Sequence, residues 1–305
     1  MPTTNYFNVR LDWTSEKEGF PWRIYLLAIK EKFFSVSITR ITEDLGSAGS
    51  EAHKVMTKGH TYLCTLVVEA PFVWDEHEEE TAFTLLSEEK FQPLATGIIL
   101  NRLRRPENLN SQASGIGRED KEKLNGHRGK VIWLTGLLNS GKTTVANRLE
   151  AKLHAMSCHT CILDGDSLRG SLNSDLGFAE GDRVENVRRA AEVSKLMLDL
   201  GLIVIVSMIA PFRTERLMAR KLIGKKDFIG VYVKTSLSTC EARDTSGLYL
   251  AAREGKITNL SGVNSPYEVP LQYDLVISGE REEELETSVD AIINALGGIF
   301  LEGSK

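Results

Sequence analysis

Residues 130–147 read KVIWLTGLLNSGKTTVAN, and this stretch decides the fold of the C-terminal part of the chain. The apolar run 131–134 predicts a buried strand, and the pattern of residues 144–153 predicts a helix. Between them, residues 136–143 fit the phosphate-loop motif G-x-x-x-x-G-K-[ST]. Backbone N–H groups of such a loop, and the N-terminus of the following helix, attract phosphate oxygens. The stretch therefore predicts a site for the phosphates of a nucleotide.

Positions within this phosphate loop have distinct expected roles. Lys142 can reach the β- and γ-phosphates, and the hydroxyl of Thr143 can ligate Mg²⁺. Asn139 tolerates a positive φ better than most residues, so it can keep the shape of the loop. The predicted phosphate-binding residues are Gly136, Leu137, Leu138, Asn139, Ser140, Gly141, Lys142, Thr143 and Thr144.

The composition excludes several classes of protein. A chain of 305 residues with 42% hydrophobic and 26% charged residues is typical of a soluble protein with two domains. Lys+Arg 37 against Asp+Glu 42 gives a net charge of -5, so no broad positive field attracts nucleic acid. The first thirty residues predict neither a signal peptide nor an anchor, and no apolar run is long enough for a membrane. We expect a cytoplasmic protein without nucleic-acid or membrane partners.

Cys158 and Cys161 fit C-x-x-C, which is found in redox pairs and in half-sites for zinc. Cys161 begins an apolar run that predicts a strand, and no second ligand pair follows at zinc-finger spacing. We interpret both cysteines as structural.

Residues 22–100 show the pattern of an all-β domain. Phe34, Val36 and Ile38 alternate with polar residues, which is typical of a half-buried strand. Similar patterns predict strands near residues 23–29, 62–69, 81–86 and 96–100. Five or six such strands predict a small barrel in a domain of residues 1–104. The acidic run 75–80 is interpreted as a solvated loop.

Polar residues and glycine replace apolar residues in the segment 105–127, which predicts a linker. Beyond it, strands predicted at 130–135, 161–163, 201–209, 228–234 and 274–278 alternate with helices. The clearest helical pattern covers 184–200. Such alternation predicts an α/β domain over residues 128–305, with a mostly parallel sheet and helices on both faces.

Carboxylates follow the second strand of this predicted domain. Asp164 and Asp166 should face the phosphates, because the carboxyl ends of parallel strands surround the ligand crevice of an open sheet. One of them could hold Mg²⁺ or accept a proton from an attacking hydroxyl, while a simple turn is the alternative. Arg183 and Asn186 share a helix face further on, and Phe178 could stack on a base.

The segments LDGDSLRGSLNSDLGFAEGDRVENVRRAAEVSKL, GLIVIVSMIAPFR, SGLYLAAREG and SGVNSPYEVP resemble adenylylsulfate kinases along nearly all of residues 128–280. That family has a phosphate-loop fold and uses ATP and Mg²⁺ to phosphorylate the ribose 3′-hydroxyl of adenosine 5′-phosphosulfate. The resemblance implies a kinase of sulfate assimilation that forms a homo-oligomer.

The resemblance also implies roles for individual residues. Asp166 would be the catalytic and metal-associated carboxylate, acting with Lys142. Arg243 would pack on the base of ATP, and residues 245–263 would form a mobile lid. The implied acceptor-binding residues are Asp164, Arg169, Phe178, Arg183, Asn186 and the backbone around Ile209.

The N-terminal part resembles a different protein. WRIYLLAIKEKFFSVSITRITEDL and the later ATGIILNRL are similar to the last β-barrel of the GTP-binding large subunit of sulfate adenylyltransferase, which is related to the third domain of elongation factor Tu. In bacteria this subunit is often fused to adenylylsulfate kinase. The resemblance implies an association with sulfate adenylyltransferase subunits.

Several positions depart from the kinase family. Leu138 replaces a serine of the phosphate loop, and Ala210 replaces the serine that could be phosphorylated. The lid has Ser246, Leu250, Ala251 and Thr258 at positions usually held by lysines, and Leu260 in place of a stacking phenylalanine. Two alternatives therefore stay open: a kinase of the same fold with a different nucleotide-like acceptor, and a nucleotide-binding regulatory protein with little or no turnover.

Overall fold

The computed structural model describes residues 6–45, 55–68, 81–88, 90–102 and 115–300. They form two compact units, one before and one after the segment 103–114. The first unit is all β, and the second alternates strands with helices. Both parts of the predicted fold class are therefore confirmed. The acidic run 75–80 lies outside the described residues.

The first unit is a closed barrel of antiparallel strands. Its strands are β1 (Tyr6–Trp13), β2 (Ile24–Ile29), β3 (Lys32–Asp44), β4 (Thr61–Val68), β5 (Thr81–Ser87) and β6 (Pro93–Arg102). They pair in the order β1-β4-β3-β2-β5-β6, and β6 closes the barrel on β1. Alternate side chains point inward, so Tyr62, Cys64, Leu66 and Val68 of β4 are all buried.

The barrel begins earlier than the predicted β region of residues 22–100. In β1, the buried side chains of Phe7, Val9, Leu11 and Trp13 alternate with polar residues. This is the same two-residue period that predicts the other strands. Because β1 pairs with both β4 and β6, the strand missed in the sequence is the one that closes the barrel.

The second unit is built on a parallel sheet. Its strands are β7 (Lys130–Thr135), β8 (Thr160–Asp164), β9 (Ile203–Ser207), β10 (Phe228–Lys234) and β11 (Leu275–Ser278). They pair in the order β11-β10-β7-β9-β8, and every pair is parallel. Alternate residues of β7 point to opposite faces: Ile132 packs in one apolar cluster and Trp133 in another.

Helices cover both faces of this sheet. They are α1 (Arg118–Asn125), α2 (Lys142–Ala155), α3 (Gly165–Arg169), α4 (Glu180–Leu198), α5 (Arg213–Ile223), α6 (Leu237–Ala242), α7 (Leu248–Arg253) and α8 (Leu285–Ala295), with a 3₁₀ turn at Glu282–Glu284. Helices α2 and α8 pack on one face, and α4 and α5 on the other. Within the described part of the chain, no helix combines the length and the apolar composition that a bilayer crossing requires.

Part of the predicted linker 105–127 is instead helical, because α1 lies within it. The helix is polar, which is why its composition suggested a linker. Arg118 holds it to the sheet: its guanidinium donates to both carboxylate oxygens of Asp227, at 2.7 and 3.1 Å, and to Glu122 Oε1 at 2.7 Å. Glu122 in turn accepts the N–H of Gly129 at 2.9 Å, one residue before β7. Paired charges therefore replace an apolar face.

We predict that Arg118→Met lowers the free energy of unfolding by about 2 kcal/mol, because two half-buried carboxylates lose their charge-assisted hydrogen bonds. Urea denaturation measures the change. Lys121→Met is the matched control: Lys121 reaches only the carbonyl of Asp199, at 3.3 Å, and should change stability by less than about 0.5 kcal/mol. Equal stability of Arg118→Met and the wild type would mean that α1 is an appendage rather than part of the domain.

Candidate active site

Three neighbouring strands end in polar side chains at one edge of the sheet. Thr135 ends β7, Asp164 ends β8 and Ser207 ends β9, with Asp164 beside Ser207 in register. A pocket of about 500 Å³ opens at this edge. It is lined by residues of the phosphate loop, residues 164–166 and 207–209, Arg243, and part of the segment 278–285. This edge is where an open parallel sheet binds its ligands.

The phosphate loop adopts the conformation expected from its sequence. Asn139 has φ 58° and Gly141 has φ 95°, both in the left-handed region, and α2 begins at the next residue, Lys142. A Cβ on Gly136 would lie 2.6 Å from the carbonyl oxygen of Val233, so only glycine fits there. The predicted positive φ of Asn139 is confirmed.

Lys142 is a cation buried at the base of the loop. Its Nζ donates to the carbonyl of Leu137 at 2.6 Å and lies 3.4 Å from Ser140 Oγ. Burial lowers the pKa of Lys142 to about 8, although Cys240, Asp164 and Asp166 act in the opposite direction. A phosphate in the pocket would supply the counter-charge that the buried ammonium lacks.

Oxygen ligands suited to a hard cation meet beside Lys142. Thr143 Oγ1 donates to Asp164 Oδ2 at 3.1 Å and lies 3.2 Å from Ser207 Oγ. Asp164 Oδ1 accepts the N–H groups of Asp166 and Ser167 at 3.0 and 3.3 Å, which caps α3. Mg²⁺ takes oxygen ligands and usually only one or two protein carboxylates, so this set fits it.

The structure adds to what the sequence predicts for two of these residues. Asp164 is predicted as a possible Mg²⁺ ligand or base and, from the resemblance, as an acceptor-binding residue; its carboxylate contacts the predicted metal ligand Thr143. Ser207 was not identified, although it follows an apolar run that predicts a strand. The sequence does not show that this strand lies directly beside β7, and that neighbourhood brings the hydroxyl of Ser207 to the site.

Asp166 lines the pocket and is exposed. Among the described residues, no side chain hydrogen-bonds to its carboxylate. Its backbone is held by the capping bond to Asp164, so the carboxylate is positioned by α3 while its oxygens stay available. An available carboxylate beside a phosphate loop can accept a proton or contact a metal ion.

One end of the pocket is formed by the chain after β11, and Arg243 lies at this end. Its guanidinium donates to the carbonyls of Gly279 at 2.6 Å and Glu280 at 2.9 Å, which fixes its plane. A Cβ on Gly279 would lie 2.3 Å from the carbonyl oxygen of Ser140, so this segment reaches the phosphate loop only because it has a glycine. Gly279 and Arg281 line the pocket and were missed in the sequence, where no motif marks them.

The predicted acceptor residues form a second group, on α3, α4 and the loop between them. The guanidinium of Arg169 lies over the ring of the exposed Phe178, 4.7 Å from its centroid. Arg183 donates to the carbonyl of Phe178 at 3.0 Å and to Ser261 Oγ at 2.5 Å, and also to the carbonyl of Asn259. Burial lowers the pKa of Arg183, and the nearby charge of Arg169 lowers it further. The buried Arg183 and the half-buried Arg169 repel each other, which favours an anionic ligand.

Asn186 is buried on the same helix, where Asn173 orients it. Asn173 Nδ2 donates to Asn186 Oδ1 at 2.7 Å, which leaves the amide nitrogen of Asn186 as the group to donate to a ligand. Of the predicted acceptor set, Asp164 and Ile209 line the 500 Å³ pocket, whereas Arg169, Phe178, Arg183 and Asn186 do not. The structure therefore gathers the predicted nucleotide-binding residues around one pocket. The four other predicted acceptor residues form a separate group, and helix α3 carries a residue of each group, Asp166 and Arg169.

Residues 245–263, which the resemblance predicts to be a lid, contact the phosphate loop through apolar side chains. Leu137 and Leu138 pack against a cluster of Cys240, Tyr249, Ala252 and Leu260. Tyr249 also donates to the carbonyl of Leu138 at 2.8 Å. The cations of the lid are paired with carboxylates, Arg253 with Glu241 and Lys256 with Glu254. Ser246, Leu250 and Thr258 are exposed.

Comparison with known proteins identifies relatives of this second unit. The family model for adenylylsulphate kinase matches residues 128–278. The adenylyl-sulfate kinase of Citrobacter koseri is 49% identical over 175 residues, which cover 57% of this chain and 87% of that protein. The solved APS kinase CysC of Mycobacterium tuberculosis, in complex with AMPPNP and APS, is 42% identical with a TM-score of 0.53. It covers 56% of this chain and 98% of its own.

A longer relative extends over both units. The bifunctional enzyme NodQ of Rhizobium tropici is 38% identical over 299 residues, or 96% of this chain. The alignment covers 47% of NodQ, so the present chain spans about half the length of this relative. The order of barrel and α/β unit is therefore shared with a longer protein.

Because Lys142 is buried without a full counter-charge, we predict that Lys142→Met stabilises the protein while it abolishes nucleotide binding. A pKa lowered from 10.5 to about 8 corresponds to about 3 kcal/mol at neutral pH, partly offset by the lost hydrogen bond to Leu137. We expect a gain of about 1 to 2 kcal/mol at pH 7. The cost of the charge is fully present below pH 8 and is relieved as the pH rises towards 10.5, so the gain should vanish at high pH.

Urea denaturation at pH 7 and pH 10 measures stability, and calorimetry measures ATP binding. Lys152→Met is the control on the same helix, because Lys152 pairs with Glu286 and Asp290 at the surface. It should leave ATP affinity unchanged. Destabilisation by Lys142→Met at pH 7 would contradict the prediction.

Proposed function

Because the chain belongs to the adenylylsulfate kinase family, we propose that it transfers the γ-phosphoryl group of ATP to the 3′-hydroxyl of adenosine 5′-phosphosulfate, giving 3′-phosphoadenosine 5′-phosphosulfate. Kinases of this family are phosphotransferases, and the chain is one. The observation that carries the proposal is the meeting of Lys142, Thr143, Asp166 and Ile209 around one pocket. A nucleotide phosphate loop and an available carboxylate are the parts that phosphoryl transfer needs.

The nucleotide side of the reaction is assigned to the phosphate loop. The loop N–H groups and Lys142 hold the β- and γ-phosphates, and Arg243 lies at the base end of the pocket. Thr143 would hold Mg²⁺, with Asp164 and Asp166 as the nearby carboxylates. Bound there, Mg²⁺ would neutralise charge on the phosphate oxygens. Phosphoryl transfer depends mainly on such positioning and electrostatic stabilisation.

Asp166 acts at the acceptor hydroxyl. The 3′-oxygen attacks the γ-phosphorus, the bond from that phosphorus to the bridging oxygen of the β-phosphate breaks, and ADP leaves. The proton of the hydroxyl passes to the Asp166 carboxylate, for which no competing side-chain donor is present among the described residues. The capping bond between the backbone of Asp166 and Asp164 keeps the base in place during transfer.

The acceptor is assigned to the group on α3 and α4. Adenosine 5′-phosphosulfate carries a phosphosulfate anion, and Arg169 and Arg183 offer two cations close enough to repel each other. The exposed ring of Phe178 supplies a stacking surface for the adenine, and Asn186 supplies an oriented amide donor. Ile209 lines the pocket of the phosphate loop, and its backbone is assigned to the acceptor from the family resemblance.

Two features favour testing other acceptors. Leu260 is buried in the lid cluster, so it offers no wall opposite Phe178, and both lid cations are paired with carboxylates. Two alternative proposals follow: a kinase of the same fold with another nucleotide-like acceptor, and a regulatory protein with weak turnover. A panel of nucleotide acceptors with [γ-³²P]ATP separates them. Product only with another nucleotide supports the kinase with another acceptor, and ATP binding without any product supports the regulatory protein.

For the barrel we propose a docking role with sulfate adenylyltransferase subunits, and for the kinase unit a homo-oligomer. The barrel proposal rests on the sequence resemblance and on the alignment with a bifunctional relative over both units. The β pattern of the barrel sequence offers no pair of carboxylates and no nucleophile with a base, so we assign it binding rather than chemistry.

We predict that the purified protein forms the 3′-phosphorylated product from ATP, Mg²⁺ and adenosine 5′-phosphosulfate, and that Asp166→Asn lowers kcat by about 10²- to 10⁴-fold. The amide keeps the size of the side chain but cannot take the proton. Product formation is followed by chromatography. Asp199→Asn, at the exposed end of α4, is the control and should retain full activity. Unchanged turnover in Asp166→Asn would overturn the assignment of Asp166.

A further inference from the structure

The last residue of β7 is hydrogen-bonded to a residue that lines the pocket. Thr135 is buried, and its Oγ1 donates to the carbonyl of Ile209 at 2.6 Å. Thr135 directly precedes Gly136, the first residue of the phosphate loop. One hydroxyl therefore joins the strand that carries the phosphate loop to the backbone that borders the acceptor.

The next carbonyl along this backbone is held by Arg216. Its Nη1 donates to the carbonyl of Ala210 at 2.5 Å, and its Nη2 donates to the carbonyl of Glu268 at 2.6 Å. Ala210 is buried and has φ 43°, a left-handed conformation that disfavours a residue with a Cβ. Backbone strain of this kind persists only where the surroundings hold it. Arg216 supplies such a restraint.

The chain that follows the lid completes the cluster. The Tyr267 hydroxyl lies 3.2 Å from Thr135 Oγ1, and its ring lies under the guanidinium of Arg216. Burial raises the pKa of Tyr267 to about 12, so this hydroxyl keeps its proton and donates to Thr135, which uses its own proton on Ile209. The N–H of Glu268 donates to the carbonyl of Pro211 at 2.9 Å.

We propose that Thr135 and Arg216 are positioning residues that hold the Ile209–Ala210 backbone in the conformation that binds the acceptor, and that they couple this backbone to the phosphate loop and to the end of the lid. The inference rests on the proposed kinase function. Neither residue lines the 500 Å³ pocket. Their effect should therefore appear in acceptor binding more than in ATP binding.

Thr135→Val keeps the shape of the side chain and removes its hydroxyl. We expect it to raise the KM for adenosine 5′-phosphosulfate about tenfold, with less than about a twofold change in ATP affinity, and Thr135→Ser to restore the wild-type value. Thr214→Val is the matched control, because within the described residues Thr214 Oγ1 is buried without a hydrogen-bond partner. An unchanged acceptor KM in Thr135→Val would overturn the proposal while the kinase function stands.

Arg216→Ala should raise the acceptor KM by a similar factor, and Arg216→Lys should recover part of the loss. Arg220→Ala is its control: Arg220 lies one turn further along α5, pairs with Asp274 and also lies over an aromatic ring. Its loss should lower stability without raising the acceptor KM. An equal rise of the acceptor KM in both variants would show that the effect is general destabilisation and would overturn the proposal.

A readout independent of turnover separates this inference from the proposed function. Hydrogen–deuterium exchange of residues 209–213 should become faster in Thr135→Val and in Arg216→Ala. In the Thr214→Val control, exchange of the same residues and of the phosphate loop should not change. If the wild type yields no product from adenosine 5′-phosphosulfate, the proposed acceptor is wrong, and the exchange data alone decide the positioning role. Wild-type exchange rates in both variants would overturn it.

Discussion

The parallel pairing of β7 with β9, and of β9 with β8, is the constraint on which the candidate site depends. It brings the carboxyl ends of three strands to one edge, where Asp164 lies opposite Ser207, and Thr135 follows Leu134, the β7 partner of Ser207. None of the three is near another in sequence. A shift of one residue in the pairing of β8 with β9 would turn Asp164 and Ser207 to opposite faces of the sheet, because side chains alternate along a strand. The apolar cores on the two faces stabilise this register. The packing of α2 and α4 therefore helps to position the side chains of the candidate site.

The same edge concentrates groups that are costly to the folded protein. Lys142 is a buried ammonium whose nearest partners are a carbonyl and a hydroxyl. Ala210 and Asn139 have left-handed backbone conformations, and Arg169 and Arg183 repel each other. An anionic ligand would supply the counter-charge that Lys142, Arg169 and Arg183 lack. Natural proteins tend to depart from the best local choice at functional sites, and the two apolar cores that face the sheet stabilise this unit.

Much of this arrangement follows from the sequence, and the exceptions have physical reasons. Strand periods and the phosphate-loop motif predict both units, because burial on one or two faces leaves a regular pattern. Helix α1 was not predicted because it is held by the ion pairs of Arg118 rather than by an apolar face. Ser207, Gly279 and Arg281 were not predicted as site residues because their position depends on which strands are neighbours. The order of strands in the sequence does not give their order in the sheet. The resemblance supplied Arg183 and Asn186 as site residues, but not the partners that hold them, Ser261 and Asn173.

The departures from the kinase family are connected in three dimensions although they are far apart in sequence. Leu138 of the phosphate loop removes a hydroxyl, but it also packs with Leu260 and Tyr249 of the lid. The two unusual leucines thus belong to one apolar cluster, which holds the lid on the loop together with the hydrogen bond from Tyr249 to Leu138. Apolar contact is insensitive to salt and needs no phosphate, whereas contact between a lysine and a phosphate requires the ligand and is screened. The segment predicted as a lid therefore packs on the loop through its own apolar side chains, and the cations of the loop, of α3 and of α4 lie outside this contact.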